Sequence, residues 1–386
     1  MKILHIAPIS FKQAFGGPSN SVLNLAKGQV KLGHSIALLS SKSGEVIENN
    51  TIDGVLLLAS PIKKHINPWK ISKNWVSLIK KHFGIPDIVN FHDTYYPFHV
   101  ALSKHFISEG WPYVFTPRGG LSVLAQKVKF YKKIPANLLF FNKYVKKSAL
   151  IHALCENEAE EIRIKYPNSN IFIVSNGVSD DLLSISDEAY KKDVINNLKE
   201  KSLITIGFIG RIDVYHKGLD LLFLAIKKLQ ESWADNKIKL IITGPFYSNK
   251  DRQKIFKMIE KMPYKDDIFI KPPVFNDEKW AEINTYDIFV HTSRFEGLPN
   301  SVLEAMTLGK PCLVTQGTNM CEIMKLNKCG WGCDTSVESI KNTIELAISD
   351  FGIIDQYGKN AKLYILKNNT MNSISKKCIE AYQSVT

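Results

Sequence analysis

Short runs of apolar residues alternate with longer segments of helical period along most of the chain. In the first half these runs are KILHIA (2–7), SIALLS (35–40), VLLLA (55–59), DIVNFH (87–92), YVFT (113–116), ALIHAL (149–154) and IFIVS (171–175). In the second half they are LITIGFIG (203–210), KLIITG (239–244), DIFI (267–270), DIFVHT (287–292) and CLVT (312–315). Short buried runs separated by helices are typical of parallel strands covered on both faces. The pattern therefore predicts an α/β protein with doubly wound parallel sheets.

A polar, charged stretch separates the two sets of strands. It covers residues 179–201 and reads SDDLLSISDEAYKKDVINNLKEK. A chain of 386 residues also exceeds the usual size of one domain, which favours two. We predict an N-terminal Rossmann-like domain over residues 1–178, a linker over 179–201 and a second Rossmann-like domain over 202–368.

The end of the chain has the pattern of one more helix. TMNSISKKCIEAYQSV (370–385) places Ile374, Cys378 and Tyr382 on one face. This spacing predicts a final amphipathic helix within residues 369–386.

The formal net charge of +13 is concentrated in the first half of the chain. Residues 1–180 carry 22 Lys and Arg against 11 Asp and Glu, and residues 110–155 hold eight basic residues and no acidic one. Aromatic and aliphatic residues interleave with these cations. Such a segment suits an anionic membrane surface, an anionic ligand or nucleic acid. It is also the pattern of a solvated basic face over a helix that packs on the core.

Compartment and metal content follow from what the sequence lacks. No window approaches 18 uninterrupted apolar residues, and the apolar part of MKILHIAPIS is too short for a signal peptide. The six cysteines are scattered and do not have the spacing of a disulfide framework or a zinc site. We expect a cytoplasmic protein without a bound metal.

Two cations follow the first strand of the second half. Arg211 and Lys217 lie six positions apart, ahead of a helix with the apolar stripe Leu219, Leu222, Phe223, Ile226 and Leu229. Cations near a helix N-terminus oppose the helix dipole unless an anion binds there, and with an anion they complete a phosphate site. The alternative is a pair of solvated cations.

Two glutamates frame a turn in RFEGLPNSVLEAMTLGKP (294–311). Glu296 precedes the turn Gly297-Leu298-Pro299-Asn300, and Glu304 lies in the apolar helix pattern that follows. Glu304 also fits a capping box with Ser301, which is a purely structural explanation. Glu296 does not fit that explanation. A nucleotide-sugar accounts for both carboxylates, because one would accept sugar hydroxyls, the other a ribose diol, and the turn N–H groups would face a diphosphate.

These motifs together resemble those of the retaining glycosyltransferases of family 4. The resemblance includes GRIDVYHKGLDLL (210–222), GGPS (16–19), DIVNFHD (87–93), TPRGGLS (116–122) and SNGV (175–178), and it covers most of the chain. It implies the GT-B fold, in which two Rossmann-like domains face each other across a cleft and the last helix crosses back to the first domain. TPRGGLS with the basic, aromatic segment after it resembles bacterial enzymes that build O-antigen, capsule or other exported polysaccharide.

The resemblance implies roles for individual residues. Arg211 and Lys217 would bind the donor diphosphate and stabilise it as a leaving group. Glu304 would bind ribose, and Glu296 would contact the donor sugar near the reacting carbon. The remaining donor contacts would come from Gly17, Val274, Phe275, Gly297, Leu298, Pro299 and Asn300. The substrate would be a nucleotide-sugar, UDP rather than GDP, with no separate cofactor and no metal.

The acceptor side departs from the family pattern. Where many members carry a histidine near the reacting sugar, this chain has Arg118, followed by Gly119. His92, at the end of the preceding strand, is the nearest histidine, although it could equally be a hydrogen-bonded residue of the strand end. We expect these three residues to bind a saccharide acceptor, one linked to a lipid, with the basic N-terminal domain on the inner face of the cytoplasmic membrane.

The same sequence leaves other functions open. A nucleotide-sugar epimerase or a phosphorylase would share the fold. A basic membrane-surface or nucleic-acid-binding protein with a degenerate cleft is an alternative of a different class, although Arg211, Lys217, Glu296 and Glu304 together argue against it.

Overall fold

The computed structural model describes residues 1–9, 17–41, 50–58, 74–186, 203–229, 233 and 237–386. The chain divides into two compact units. Met1–Gly177 and Met371–Thr386 form the first, and Val178–Thr370 forms the second. Residues 180–186 are helical, whereas the rest of the predicted linker, 187–201, lies outside the described residues.

The first unit is built on an eight-stranded sheet with the order β3-β4-β2-β1-β5-β6-β7-β8. Its strands are β1 Lys2–Ala7, β2 Ser35–Ser40, β3 Asn50–Ile52, β4 Val55–Leu58, β5 Ile88–His92, β6 Tyr113–Thr116, β7 Leu150–Ala153 and β8 Ile171–Ile173. Every neighbouring pair is parallel except β3 and β4. The helices are Gly17–Lys31, Asn74–His82, Pro97–Ser108, Val123–Lys127, Phe130–Ala136, Asn142–Lys146, Glu156–Lys165 and Met371–Gln383, with a π-helical segment at Asn137–Phe141.

Both faces of this sheet are buried, as the unbroken apolar runs predict. Leu4 and Ile6 of β1 pack into one core cluster with Phe91, while Ile3 and Ala7 pack into a second cluster on the opposite face. Alternate side chains of a strand point to opposite faces, so a strand covered on both sides needs apolar residues at nearly every position.

The final helix packs against the first unit through the predicted face. Ile374, Cys378 and Tyr382 are all buried. The Tyr382 hydroxyl also accepts a hydrogen bond of 2.7 Å from Asn90 of β5. The predicted amphipathic pattern is therefore confirmed at these three positions.

The second unit carries a six-stranded parallel sheet with the order β11-β10-β9-β12-β13-β14. Its strands are β9 Ile204–Ile209, β10 Ile238–Thr243, β11 Ile268–Lys271, β12 Ile288–His291, β13 Cys312–Thr315 and β14 Gly330–Cys333. The helices are Leu219–Lys227, Asn249–Ile259, Asn276–Asn284, Asn300–Thr307, Cys321–Asn327, Val337–Ser349 and Ile354–Asn368, with 3₁₀ turns at Lys265–Asp267, Gln316–Thr318 and Phe351–Ile353. The doubly wound fold class is confirmed.

In each sheet the chain winds outward in both directions from one central strand. β1 lies between β2 and β5, and β9 lies between β10 and β12. Loops after two such neighbouring strands diverge and leave a crevice at the carboxyl ends of the strands, where open α/β sheets bind ligands. These two switch points, β1/β5 and β9/β12, are therefore the first places to look for a site.

Within the described ranges, no helix has both the length and the apolar character needed to cross a bilayer.

Candidate functional site

The loops after β9 and β12 bring Lys217 and Glu296 together. The Lys217 ammonium forms an ion pair with Glu296 Oε1, and Ser293 Oγ donates to the same oxygen at 2.9 Å. Both charged side chains are largely buried. The sequence placed each residue after a buried strand, but the contact joins positions 79 residues apart.

Glu296 is held as an anion. Burial alone would raise the pKa of its carboxyl group, but Lys217 above all, together with two histidines, holds that pKa well below its usual range. Nε2 of His291 lies 3.5 Å and Nε2 of His216 lies 3.7 Å from Glu296 Oε1. Burial lowers the pKa of His291 to about 4, so this ring is neutral near pH 7. The balancing cation is therefore Lys217.

Arg211 lies beside this pair and contacts it through His216. Arg211 Nη2 is 3.4 Å from His216 Nδ1 and 3.5 Å from Asp213 Oδ2, and its guanidinium lies over the Tyr247 ring. Its side chain is about half exposed, at 49%. Sequence reasoning missed His216, although its position next to Lys217 was an available signal.

A second ion pair links the loop after β12 to the helix Leu219–Lys227. Both terminal nitrogens of Arg294 donate to the Asp220 carboxylate, at 2.7 and 3.2 Å. The backbone N–H of Arg294 also donates to the backbone carbonyl of His216 at 2.9 Å. Gly218 has a φ of +61° and approaches so closely that a Cβ atom there would lie 2.0 Å from the Thr292 carbonyl oxygen. These contacts hold Lys217 and Glu296 in register.

The turn after Glu296 is held from its carbonyl side. Asn319 Nδ2 donates to the carbonyls of Glu296 and Gly297, at 2.9 and 3.0 Å. Leu298 is buried, and Pro299 is the N-cap of the helix Asn300–Thr307. Two carbonyls at this turn are thus bound within the protein, and the turn leads directly into the helix.

The capping box at Ser301 is wrong. The N-cap is Pro299, two residues before Ser301, and it makes no side-chain hydrogen bond. Glu304 instead forms an ion pair with Lys279 of the helix Asn276–Asn284. Lys279 was not identified from the sequence, because nothing local links it to a glutamate 25 positions later.

For the other predicted donor residues, the structure shows a position in the chain but no contact that bears on donor binding. Val274 and Phe275 lie in the segment between β11 and the helix Asn276–Asn284, one turn before Lys279, and Phe275 is partly exposed. Gly17 is the first residue of the helix Gly17–Lys31, while residues 10–16 ahead of it lie outside the described residues. Their contacts with a donor stay predictions.

The predicted acceptor residues meet at the β1/β5 switch point of the first unit. Arg118, in the loop after β6, directs Nε and Nη2 at Nδ1 of His92, at 3.4 and 3.2 Å. The Gly119 N–H donates at 2.5 Å to Glu158, a buried carboxylate that sequence reasoning missed. His92 has no exposed surface, whereas Arg118 is partly exposed, and binding of an acceptor by these residues stays a prediction.

Among the described residues, no three or more His, Cys, Asp or Glu side chains converge in a way that could hold a metal ion. Independence from metal stays a prediction.

Two family models cover the chain in succession. Glycosyltransferase Family 4 matches residues 15–182, and Glycosyl transferases group 1 matches residues 190–364. An uncharacterised glycosyltransferase of Methanocaldococcus jannaschii is 24% identical over 222 residues, 56% of this chain and 55% of that protein. The poly(ribitol-phosphate) alpha-N-acetylglucosaminyltransferase of Staphylococcus aureus is 23% identical over 246 residues, 57% of this chain and 47% of that protein. The chain thus spans about half the length of these relatives.

Solved structures resemble the whole chain. Sucrose-phosphate synthase from Thermosynechococcus elongatus has a TM-score of 0.77 at 13% identity and covers 99% of this chain and 98% of its own. WaaG, a glycosyltransferase involved in lipopolysaccharide biosynthesis, has a TM-score of 0.70 at 18% identity. The match covers 100% of this chain and 99% of WaaG. Anabaena HepE, in complex with UDP and glucose, has a TM-score of 0.72 at 15% identity, covering 100% of both chains. These likenesses establish the GT-B fold, and with the two family matches they identify this chain as a glycosyltransferase of the family 4 type.

Proposed function

We propose that the protein is a retaining glycosyltransferase that moves a sugar from a nucleotide-sugar, a UDP-sugar in preference to a GDP-sugar, to a saccharide acceptor. The observation that carries this proposal is the Lys217–Glu296 pair at the β9/β12 switch point, beside the N-terminus of the helix that bears Glu304. It combines a buried cation, a buried anion and a helix N-terminus, which are the partners that a sugar diphosphate needs.

The donor would lie across the ends of β9 and β12. Lys217 and Arg211 would bind the diphosphate, Glu304 the ribose and Glu296 the transferred sugar. Glu296 forms an ion pair with Lys217, and Glu304 forms one with Lys279. Donor binding therefore means that each carboxylate shares its lysine with, or yields it to, a substrate group.

The reaction that fits these residues is front-face displacement. The acceptor hydroxyl forms a bond to the anomeric carbon as the bond from that carbon to the diphosphate oxygen breaks. The departing phosphate oxygen takes the acceptor proton. The new glycosidic bond therefore lies on the same face of the anomeric carbon as the bond that broke. Lys217 and Arg211 stabilise the negative charge that develops on the diphosphate. We infer that no metal ion and no cofactor besides the substrate takes part.

Relatives support the choice of substrates. HepE was solved with UDP and glucose, and the name of the S. aureus relative specifies alpha-linked N-acetylglucosaminyl transfer to poly(ribitol-phosphate). An alpha-linked product from an alpha-linked nucleotide-sugar requires retention. WaaG acts in lipopolysaccharide biosynthesis. We infer a lipid-linked saccharide acceptor in the synthesis of a surface polysaccharide such as O-antigen, capsule or exopolysaccharide.

Replacing Glu304 by glutamine tests the donor site. Loss of a charged acceptor for a ribose diol costs about 1.5–3 kcal/mol, so we expect the Kd for the donor to rise about 10- to 100-fold. Saturation-transfer NMR with UDP-, GDP-, ADP- and TDP-sugars measures this directly. Glu338→Gln, an exposed glutamate paired with Lys228, is the matched control and should bind like wild type. Failure of folded wild-type protein to bind any of the four donors would reject the proposed function.

The first unit also carries an exposed apolar and basic surface, which we call the 123–139 surface. Its exposed apolar side chains are Val123, Leu124, Phe130, Tyr131, Ile134, Leu138 and Leu139. Leu138 and Leu139 are the most exposed of these, at 77% and 78%. Four lysines, Lys127, Lys129, Lys132 and Lys133, lie in the same segment. We propose that this surface binds an anionic membrane, where apolar tips enter the interface and lysines meet lipid headgroups.

Replacing both Leu138 and Leu139 by serine should weaken membrane binding by roughly 10- to 100-fold, because each leucine transferred from water contributes about 1.5–3 kcal/mol when fully buried and less at an interface. Sedimentation with vesicles of phosphatidylcholine and 30% phosphatidylglycerol gives the partition coefficient. Leu326→Ser in the second unit, at 79% exposure, removes an equally exposed leucine and should have no effect. Equal binding to pure phosphatidylcholine, or equal binding by the double variant, would contradict the proposal.

A further inference from the structure

A line of hydrogen-bonded polar side chains runs through the buried side of the first unit to Arg118. Gln29 Oε1 contacts His5 Nε2 at 2.7 Å, and His5 Nδ1 contacts His92 Nε2 at 3.0 Å. His92 Nδ1 then faces the Arg118 guanidinium, whose Nη1 donates to Asn176 Oδ1 at 3.3 Å. His5 and His92 are neighbours across the β1/β5 switch point, and both have no exposed surface.

Arg118 determines which way this line of hydrogen bonds points. A guanidinium only donates, so His92 Nδ1 has to be unprotonated and accept. Neutral His92 then carries its proton on Nε2 and donates to Nδ1 of His5, and His5 donates from Nε2 to Gln29. Burial lowers the pKa of His5 to about 4, and burial with the Arg118 charge holds the pKa of His92 well below its usual range. Both rings are therefore neutral, each with one tautomer.

The two side chains that accept hydrogen bonds from Arg118 carry no charge. Its hydrogen bonds within the described part of the chain go to a neutral imidazole and to a neutral amide. They use three of the five N–H donors of a guanidinium. Asp93 and Glu158 act on its charge only through space. Glu158 is itself occupied by the N–H groups of Gly119 and Leu154. A cation held in this way retains both charge and donors for an anionic ligand.

We propose that His5 and His92 are positioning residues, and that they hold Arg118 for contact with an anionic group, a phosphate or diphosphate, of the substrate that binds the first unit. This inference rests on the proposed function only for the identity of that substrate. His92 then acts through Arg118 and not on the ligand.

The hydrogen-bond direction can be measured without any assay of transfer. In protein labelled with ¹⁵N-histidine, long-range ¹H–¹⁵N spectra at pH 7 should show His5 and His92 as neutral rings protonated on Nε2. Signals are assigned by their loss in His5→Gln and His92→Gln. In Arg118→Met, His92 should lose its fixed tautomer. A wild-type His92 protonated on Nδ1 would overturn the proposal.

Pyrophosphate is the probe for the anion, followed at the Arg118 Nε–H signal in ¹⁵N-arginine-labelled full-length protein. We expect saturable binding in wild type, a Kd at least 10-fold higher in His92→Leu, and a Kd within about 3-fold of wild type in His92→Gln, whose amide oxygen can accept from Arg118. His99→Leu removes another buried histidine outside the line and should bind as wild type does. The inference fails if pyrophosphate leaves Arg118 unmoved or if His92→Leu binds normally. Failure of the proposed function would appear in the donor experiment and would leave these spectra unchanged.

Discussion

Replacement of Lys217 by methionine is expected to lower kcat/KM for glycosyl transfer roughly 1,000-fold, or about 4 kcal/mol of transition-state stabilisation. Lys217 is the largely buried cation at the β9/β12 switch point, and a buried charge acts on a developing anion with little screening. Rates with the donor and acceptor found by screening measure the effect. Lys228→Met removes an exposed lysine of the same unit and should leave the rate unchanged.

The same substitution also removes the strongest partner of Glu296. A buried charge that loses its partner typically destabilises a protein by about 3–5 kcal/mol, so low activity alone would be ambiguous. The double variant Lys217→Met, Glu296→Gln removes both charges and should recover most of that stability in thermal unfolding. It should remain inactive. A folded double variant with near-normal kcat/KM would eliminate Lys217 from leaving-group stabilisation.

The protein is expected to lose stability steeply as the pH falls below 6.5. Four fully buried histidines have pKa values that burial lowers to about 4 or about 3: His5, His99, His152 and His291. A lowered folded pKa means that the unfolded chain binds a proton first, so this stability is complete above pH 6.5 and is lost as the pH falls toward the folded pKa. For His5 alone the difference between 6.5 and about 4 corresponds to about 3 kcal/mol.

Urea unfolding at pH 7.5, 6.5, 5.5 and 5.0 measures this loss. His99→Asn should reduce the slope of the free energy of unfolding against pH. The expected reduction is that of one proton, about 1.4 kcal/mol per pH unit below pH 6.5. A free energy of unfolding that stays constant from pH 6.5 to 5.0 would mean that these rings are not buried and neutral.

Strand prediction succeeded wherever burial on both faces forced apolar residues into unbroken runs. The predicted runs 2–7, 35–40 and 113–116 coincide with β1, β2 and β6. Two strands were missed, and both lie at sheet edges. β3 is three residues long and joins β4 through Asp53-Gly54, both with positive φ, a turn signal that the sequence does contain. β14 reads Gly-Trp-Gly-Cys and lacks an apolar run.

The position in the chain was enough to predict where three candidate site residues lie, while their roles stay predictions. Arg211, Lys217 and Glu296 each follow a buried strand, which places them at the carboxyl end of a parallel sheet. The ion pairs of Arg294 with Asp220 and of Lys279 with Glu304 could not be predicted, because each joins residues distant in sequence.

The sequence by itself determined the doubly wound class, the helix stripes and the loops that carry charge, since burial and backbone period act locally along the chain. Only the tertiary structure decided that β9 lies beside β12 and β1 beside β5. That order closes Lys217 onto Glu296 and His5 onto His92, and it places His92 behind Arg118. Strand order is set by the packing of many distant segments at once, so no local pattern encodes which loops meet or which charge becomes buried.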